Sequence, residues 1–255
     1  MGDLRGIFFD QDGVIIDTEK DGHRVAFNEA FKAFGYDFLW DVEHYHRLLQ
    51  IAGGKERMRH YFEEKGSFEE LTEDERNEFI KELHKKKTEI FISLIASGKL
   101  PLRTGIKRIM KEAMEEGLKL GVCTTANERS ASAIANGLLK DIRFEFVLAG
   151  DVVKKKKPDP EIYLLGLEKS GLDPRQCIVV EDSRNGILAA KAAGLRVVAT
   201  TNVYTEREDL SDADIILTSL GDPDDEKGVL KKGDNEILQF DGVLHVDQLI
   251  RYFSN

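Results

Sequence analysis

The sequence predicts an α/β protein: an open parallel sheet interrupted by an all-helical insertion. Short apolar runs recur along the chain, and each stops abruptly at polar residues. Helical patterns separate several of these runs. One long stretch, residues 19–98, contains no such run. Continuous apolar runs of this length fit strands buried on both faces, as in a parallel sheet. Strands alternating with helices imply right-handed crossovers.

Each element has its own justification. GIFF is the first strand and ends at Asp10. In the insertion, Phe27, Ala30, Phe31 and Phe34 make one helical stripe of core aromatics. TEDERNEFIKELHKKKTEIFISLI follows as a long amphipathic helix, and the whole insertion is large enough to form a cap. Ile106, Ile109, Met110, Ala113 and Met114 repeat the helical spacing. LKLGVC is a strand stopping at Thr124 and Thr125, FEFVLAG one stopping at Asp151, and CIVV one stopping at Glu181 and Asp182. NGILAAKAAG is Ala-rich and closes on Gly194, a helix stop. LRVVAT stops at Thr201 and Asn202, and ADIIL at Thr218. From Ser219 to Asp241, Gly, Asp and Lys predict turns and a short hairpin, before a last helix near Asp247 to Phe253. The expected domains are therefore 1–18 with 99–255, and 19–98. In such sheets the ligand crevice lies beyond the carboxyl ends of the strands, where the polar stops fall.

Composition narrows the function classes. With 255 residues, 41% hydrophobic, the chain is long enough for a sizeable core. A net charge of -10 argues against nucleic acid and anionic membrane as partners. No apolar stretch is long enough to cross a bilayer. Cys123 and Cys177, the two cysteines, both lie in strand-like runs and read as buried free thiols. The expectation is a reduced, cytoplasmic monomer without signal or transit peptide, or a protein of the plastid stroma had such a peptide been removed.

GIFFDQDGVIID places Asp10 and Asp12 one residue apart, with Gly13 next. Asp and Gly at a strand end make turns. Alternate residues of an extended chain also point the same way, so the two carboxylates would address one volume and need a metal, a lysine or both. EDSRNG brings Glu181 and Asp182 to another strand end, where Ser183 or Asn185 also reads as a helix cap. In KKKKPDPEIY, Lys154 to Lys156 read as a solvated face, whereas Lys157 is restricted by Pro158 and suited to balancing carboxylates or gripping phosphate. Thr124, with Thr125 and the backbone N–H groups that follow, suits phosphoryl oxygens.

These four motifs, in this order, resemble those of the haloacid dehalogenase (HAD) superfamily over nearly the whole chain. The resemblance implies a Rossmann-like core with a helical cap, Mg²⁺ dependence and phosphoryl transfer through an aspartyl-phosphate. It makes Asp10 nucleophile and metal ligand, and Asp12 general acid/base with its backbone carbonyl on the metal. Asp182 becomes the third protein ligand, with Glu181 supporting the metal shell. Thr124, Thr125 and Lys157 would bind the transferring group. GHRVAFNEAF, IAGGKERM, LHKKKTEIF and LPLRTGI resemble the CbbY branch, whose members dephosphorylate xylulose 1,5-bisphosphate. The β-phosphoglucomutases are close by. That similarity nominates His23, Arg24, Gly54, Lys55, Arg57 and Arg103 for the rest of a phosphorylated sugar. Lys20, Asp21 and Gly22 separate Glu19 from His23, where many relatives have two residues. A phosphomutase or a broad sugar monophosphate phosphatase would use the same core residues. Asp12 argues against a dehalogenase, a branch without the second aspartate, and the full motif set argues against a binding module.

Overall fold

A computed structural model describes residues 3–51, 53–98, 100–126 and 128–254. Lys99, at an expected boundary, and the side chain of Asp151 lie outside the described residues. The chain divides into two compact units, Met1–Asp17 with Pro101–Asn255, and Thr18–Leu100.

The first unit is built on β1 (Gly6–Phe9), β2 (Lys119–Cys123), β3 (Phe146–Leu148), β4 (Cys177–Glu181), β5 (Arg196–Thr200), β6 (Ile215–Leu217) and β7 (Leu230–Lys232). They form one sheet in the order β3-β2-β1-β4-β5-β6-β7. All neighbours pair in parallel except β6 and β7. β1 and β4 are buried along their whole length, which is why they read as unbroken apolar runs. Two expectations change. FEFVLAG keeps only Phe146–Leu148 as strand, on the sheet edge. The hairpin expected within 219–241 instead pairs β7 with β6, whose residues precede Ser219.

The second unit holds α1 (Arg24–Ala33), α2 (Val42–Leu48), α3 (Gly54–Glu64) and α4 (Glu73–Ala96), preceded by a π-helical turn over Thr18–His23. Phe27, Phe31, Trp40, Tyr45 and Phe62 are buried together, with Phe27 and Trp40 ring centres 4.7 Å apart. Phe34, at the end of the expected stripe, is 38% exposed and meets Phe79 edge-on. α4 begins on a capping box: Thr72 Oγ1 accepts from Glu75 N–H, and Glu75 accepts from Thr72 N–H.

The sheet unit completes its layers with α5 (Ile106–Glu115), α6 (Glu128–Ala133), α7 (Glu161–Ser170), α8 (Arg184–Ala192), α9 (Asn235–Leu238) and α10 (Val246–Ser254). α5 buries Ile106, Ile109, Met110 and Ala113, four of the five residues its spacing picked out, while Met114 is half-buried. Phe8, Cys123, Tyr163, Val179, Ile187 and Val197 lie in one core, and both cysteines are buried free thiols.

Candidate active site

β1 ends at Phe9, so Asp10 and Asp12 do not share an extended strand. A tight loop brings them together instead. Gln11 C=O accepts from Ile15 N–H at 2.9 Å, and Gly13 N–H donates to Ile16 C=O at 2.7 Å. Gly13 sits at φ +83°, and a Cβ there would run into the Asp182 carboxylate. The loop thus needs glycine twice, for conformation and for closeness. Asp12 accepts from Gln11 Nε2 at 3.3 Å.

Sheet register does the next step. Phe9 pairs with Val180, and Asp10 N–H donates to Val180 C=O at 3.0 Å. The ends of β1 and β4 therefore stand side by side and bring Asp10 against Glu181 and Asp182. The three carboxylates each offer an oxygen within 4.8 Å of the others, and all three are buried. Lys157, from the turn before α7, donates to Asp10 Oδ1 and to Glu181 Oε1, each at 2.6 Å, and to Cys123 C=O at 3.0 Å. Its ammonium also lies 4.9 Å from the Tyr163 ring centre.

Electrostatics follow from this crowding. Burial pushes the Asp10 carboxyl up to about 7, against the pull of Lys157 and with the push of Glu181 and Asp12. Burial and the neighbouring Glu181 and Asp10 charges hold Asp182 well above the usual carboxylate range, opposed by Arg103 and Asn202. Burial alone would lower the Lys157 pKa, but Asp10 and Glu181 outweigh it and hold the lysine well above its ordinary value. Glu181 is lowered: burial pushes up, yet Lys157 and its hydrogen bonds prevail. One lysine against three carboxylates leaves an excess of negative charge. An all-oxygen set with that excess suits a hard divalent cation.

The geometry separates roles that the sequence left merged. Glu181, a metal candidate from the sequence, stays one of the three carboxylates that could hold a cation, and its oxygens also accept hydrogen bonds. Oε1 accepts from Lys157 and from Tyr163 O–H at 2.7 Å, and Oε2 from the Asp182 and Ser183 N–H groups. It serves as the counter-ion and anchor of Lys157. Arg103 was a substrate candidate, and the structure places it among the strand-end loops. Its guanidinium is spent on Gly13 C=O, Thr201 C=O at 2.6 Å, and Thr200 Oγ1 and Thr218 C=O, both at 3.3 Å. It splints the loops at the strand ends. Thr124 is buried, and its Oγ1 accepts from Ala126 N–H at 3.0 Å, so its own hydrogen stays available to donate. Thr125 is exposed at a bend. Tyr163 escaped sequence reading because nothing local marks it; it sits under Lys157 only in the folded unit.

The helical unit carries a second polar cluster. Tyr45 O–H donates to Glu19 Oε2 at 2.6 Å, and Arg57 donates to Ile51 C=O at 2.9 Å and Tyr45 Oη at 3.3 Å. His23 Nδ1 lies 2.9 Å from Lys87 Nζ, and its ring centre lies 3.9 Å from that of Phe91, the two rings tilted by 31°. The π turn holds one residue more than an α turn would at that point, which takes up the extra residue between Glu19 and His23. Arg24 donates within its unit, from Nε to Lys20 C=O at 3.1 Å and from Nη1 to Trp40 C=O at 3.2 Å. Gly54 opens α3, and Lys55 is exposed.

Lys87 is the cation the sequence hid within LHKKKTEIF. It is only 7% exposed, 4.5 Å from the Phe27 ring centre and 5.3 Å from that of Phe91. Burial lowers its pKa from 10.5 to about 8, with Glu19 opposing and Arg57 assisting. The folded chain holds this proton less tightly than the unfolded chain. The resulting destabilisation is present in full below pH 8 and fades as pH rises towards 10.5, an effect of about 3 kcal/mol at most. Lys87→Met should therefore raise the melting temperature at neutral pH and flatten its rise between pH 8 and 10. A lower melting temperature at pH 7 would show that the His23 and ring contacts outweigh burial.

Residues 4–194 match the model of the haloacid dehalogenase-like hydrolases. A CBBY-like protein of Arabidopsis thaliana is 49% identical over 225 residues, 87% of this chain and 70% of its own. CbbY of Rhodobacter sphaeroides, solved in complex with phosphate, is 39% identical with a TM-score of 0.67, over 85% of this chain and 94% of its own. A variant of that CbbY, solved with xylulose 1,5-bisphosphate, is 38% identical with a TM-score of 0.66, at the same coverage. With Asp10, Asp182 and Lys157 gathered as described, the chain belongs to the haloacid dehalogenase-like hydrolases and is a HAD-type phosphatase.

Proposed function

We propose that the protein is a Mg²⁺-dependent phosphatase of a sugar bisphosphate, with xylulose 1,5-bisphosphate the foremost candidate, working through an aspartyl-phosphate. The observation that carries this reading is the Lys157 ammonium, 2.6 Å from both Asp10 and Glu181, beside an Asp182 whose second oxygen has no hydrogen bond among the described residues. Asp10 Oδ and Asp182 Oδ1, with the Asp12 carbonyl, would hold Mg²⁺, which supplies charge neutralisation between carboxylate and phosphate. Asp10 attacks phosphorus, while Lys157 and the Thr124 hydroxyl take the phosphoryl oxygens. Asp12 gives a proton to the leaving oxygen and then takes one from water, which cleaves the acyl phosphate and frees Asp10. The bisphosphate substrate is supported by the ligand bound to the Rhodobacter sphaeroides relative. The cations of the helical unit, Arg57 and Lys87 with His23, are the groups for a second phosphate. Hydrolysis of a panel of sugar mono- and bisphosphates, with and without Mg²⁺, tests the proposal. Equal turnover without Mg²⁺, or monophosphates preferred over every bisphosphate, would overturn it. Phosphoryl transfer to glucose 1-phosphate in place of water would make the protein a mutase.

Arg57 separates substrate classes. Its Nη2 has no hydrogen bond among the described residues, while Nε and Nη1 hold it in place. A charge-assisted hydrogen bond contributes roughly 1.5–3 kcal/mol. Arg57→Ala should lower kcat/KM for the bisphosphate by about tenfold to a hundredfold, yet leave p-nitrophenyl phosphate turnover near wild type. Equal losses on both would assign Arg57 to the fold of its unit, through Ile51 and Tyr45.

A further inference from the structure

Asp182 stands at the end of β4 with a partner on the next strand's loop. Asn202, just past β5, donates from Nδ2 to Asp182 Oδ2 at 2.7 Å. The direction of that amide is settled by its other end. Asn202 Oδ1 accepts from Tyr204 N–H at 2.9 Å and from Thr205 N–H at 3.1 Å. Only the NH₂ group is left to face the carboxylate. The turn is doubly tied, because Asn202 N–H donates to Thr205 Oγ1 at 3.1 Å and Thr205 N–H to Asn202 C=O at 3.1 Å. Arg103 holds the peptide before it, through Thr201 C=O at 2.6 Å, and the same guanidinium bonds Gly13 C=O. A Cβ on Gly13 would meet both Asp182 Oδ2 and Asn202 Nδ2. One face of Asp182 is thus packed and bonded, while Oδ1 has no hydrogen bond among the described residues.

We infer that Asn202 is a positioning residue for Mg²⁺ binding: it locks the Asp182 rotamer by occupying Oδ2, so that Oδ1 is presented to the cation. This rests on the Mg²⁺-dependent reading above. Asn202 touches neither Asp10 nor Lys157 in any hydrogen bond among the described residues, so it sets cation affinity and leaves the chemical step alone. Removing an outer hydrogen-bond partner of a metal-binding carboxylate weakens metal affinity by about tenfold to a hundredfold.

The test is calorimetric titration of Mg²⁺ into the metal-free full chain, for wild type, Asn202→Ala and Asn202→Ser. Serine keeps a hydroxyl acceptor for the turn N–H groups but is too short to reach Asp182. The expected result is an Mg²⁺ Kd raised about tenfold to a hundredfold in both variants. Metal-free melting of the Ser variant should match wild type, and kcat should return to near wild type at saturating Mg²⁺. If the Ala variant melts early, the Ser variant decides. An unchanged Kd in Asn202→Ser, or a low kcat that saturating Mg²⁺ does not restore, would overturn the inference. Absence of Mg²⁺ binding by the wild type would overturn the Mg²⁺ reading itself and the inference with it, a failure visible before any variant is made.

Discussion

Asp10→Asn should reduce phosphatase turnover to background while the protein stays folded. An amide is not a nucleophile at phosphorus, so no acyl phosphate forms and no later step can compensate. The same change removes one of three crowded carboxylates. Asp10 accepts 2.6 Å from Lys157, but that lysine keeps Glu181 at 2.6 Å and Cys123 C=O at 3.0 Å, so it is not orphaned. A carboxyl driven up to about 7 by burial is a group that would sooner be neutral. Metal-free melting should therefore be no lower than in wild type. Substrate should still bind, measurable by calorimetry with the bisphosphate. Near-normal turnover in a preparation shown by mass to be free of the deamidated form would sink the mechanism.

Asp12→Ala should cost about a hundredfold to ten-thousandfold in turnover, the usual contribution of a general acid/base. Its signature differs from that of Asp10→Asn. The nucleophile and Lys157 remain, so an activated substrate with a good leaving group can still phosphorylate Asp10. Without a base to activate water, the acyl phosphate then persists and is detectable as one added phosphoryl group by intact-protein mass. Asp12 lies on the 11–16 loop, which is tied by backbone bonds from Ile15 N–H to Gln11 C=O and from Gly13 N–H to Ile16 C=O. The loop should thus keep its shape in the variant. A loss under about tenfold would make Asp12 a turn-forming residue.

The strands were legible because of where they lie. A strand buried on both faces cannot alternate polar and apolar residues, so β1, β4 and β5 stand out as unbroken runs in any reading of the chain. The long helix α4 was legible for an equally local reason, since an amphipathic pattern is written in residues three and four apart. The candidate site residues were legible because ligands meet parallel sheets at strand ends. Asp10, Thr124, Glu181 and Asp182 all follow such runs or close them.

What the chain alone decided, then, was the set of elements and the chemistry available at their ends. What only the tertiary structure decided was how each charge is used. Arg103 and Arg57 look alike in sequence, yet one spends both Nη atoms on four oxygens of the strand ends and their loops, and the other has no hydrogen bond at Nη2 among the described residues. Glu181 and Asp182 are neighbours, and successive residues at a strand end face opposite ways. One therefore turns to Lys157 and Tyr163, the other to Asn202. Lys87 is one of three consecutive lysines, and only packing against Phe27 and Phe91 makes it the buried one. β7 needed β6 as a template, because a short polar strand at a sheet edge has no pattern of its own. In each case the deciding partner lies far along the chain. Burial and hydrogen bonding with distant groups carry no local signature, so no reading of consecutive residues reaches them.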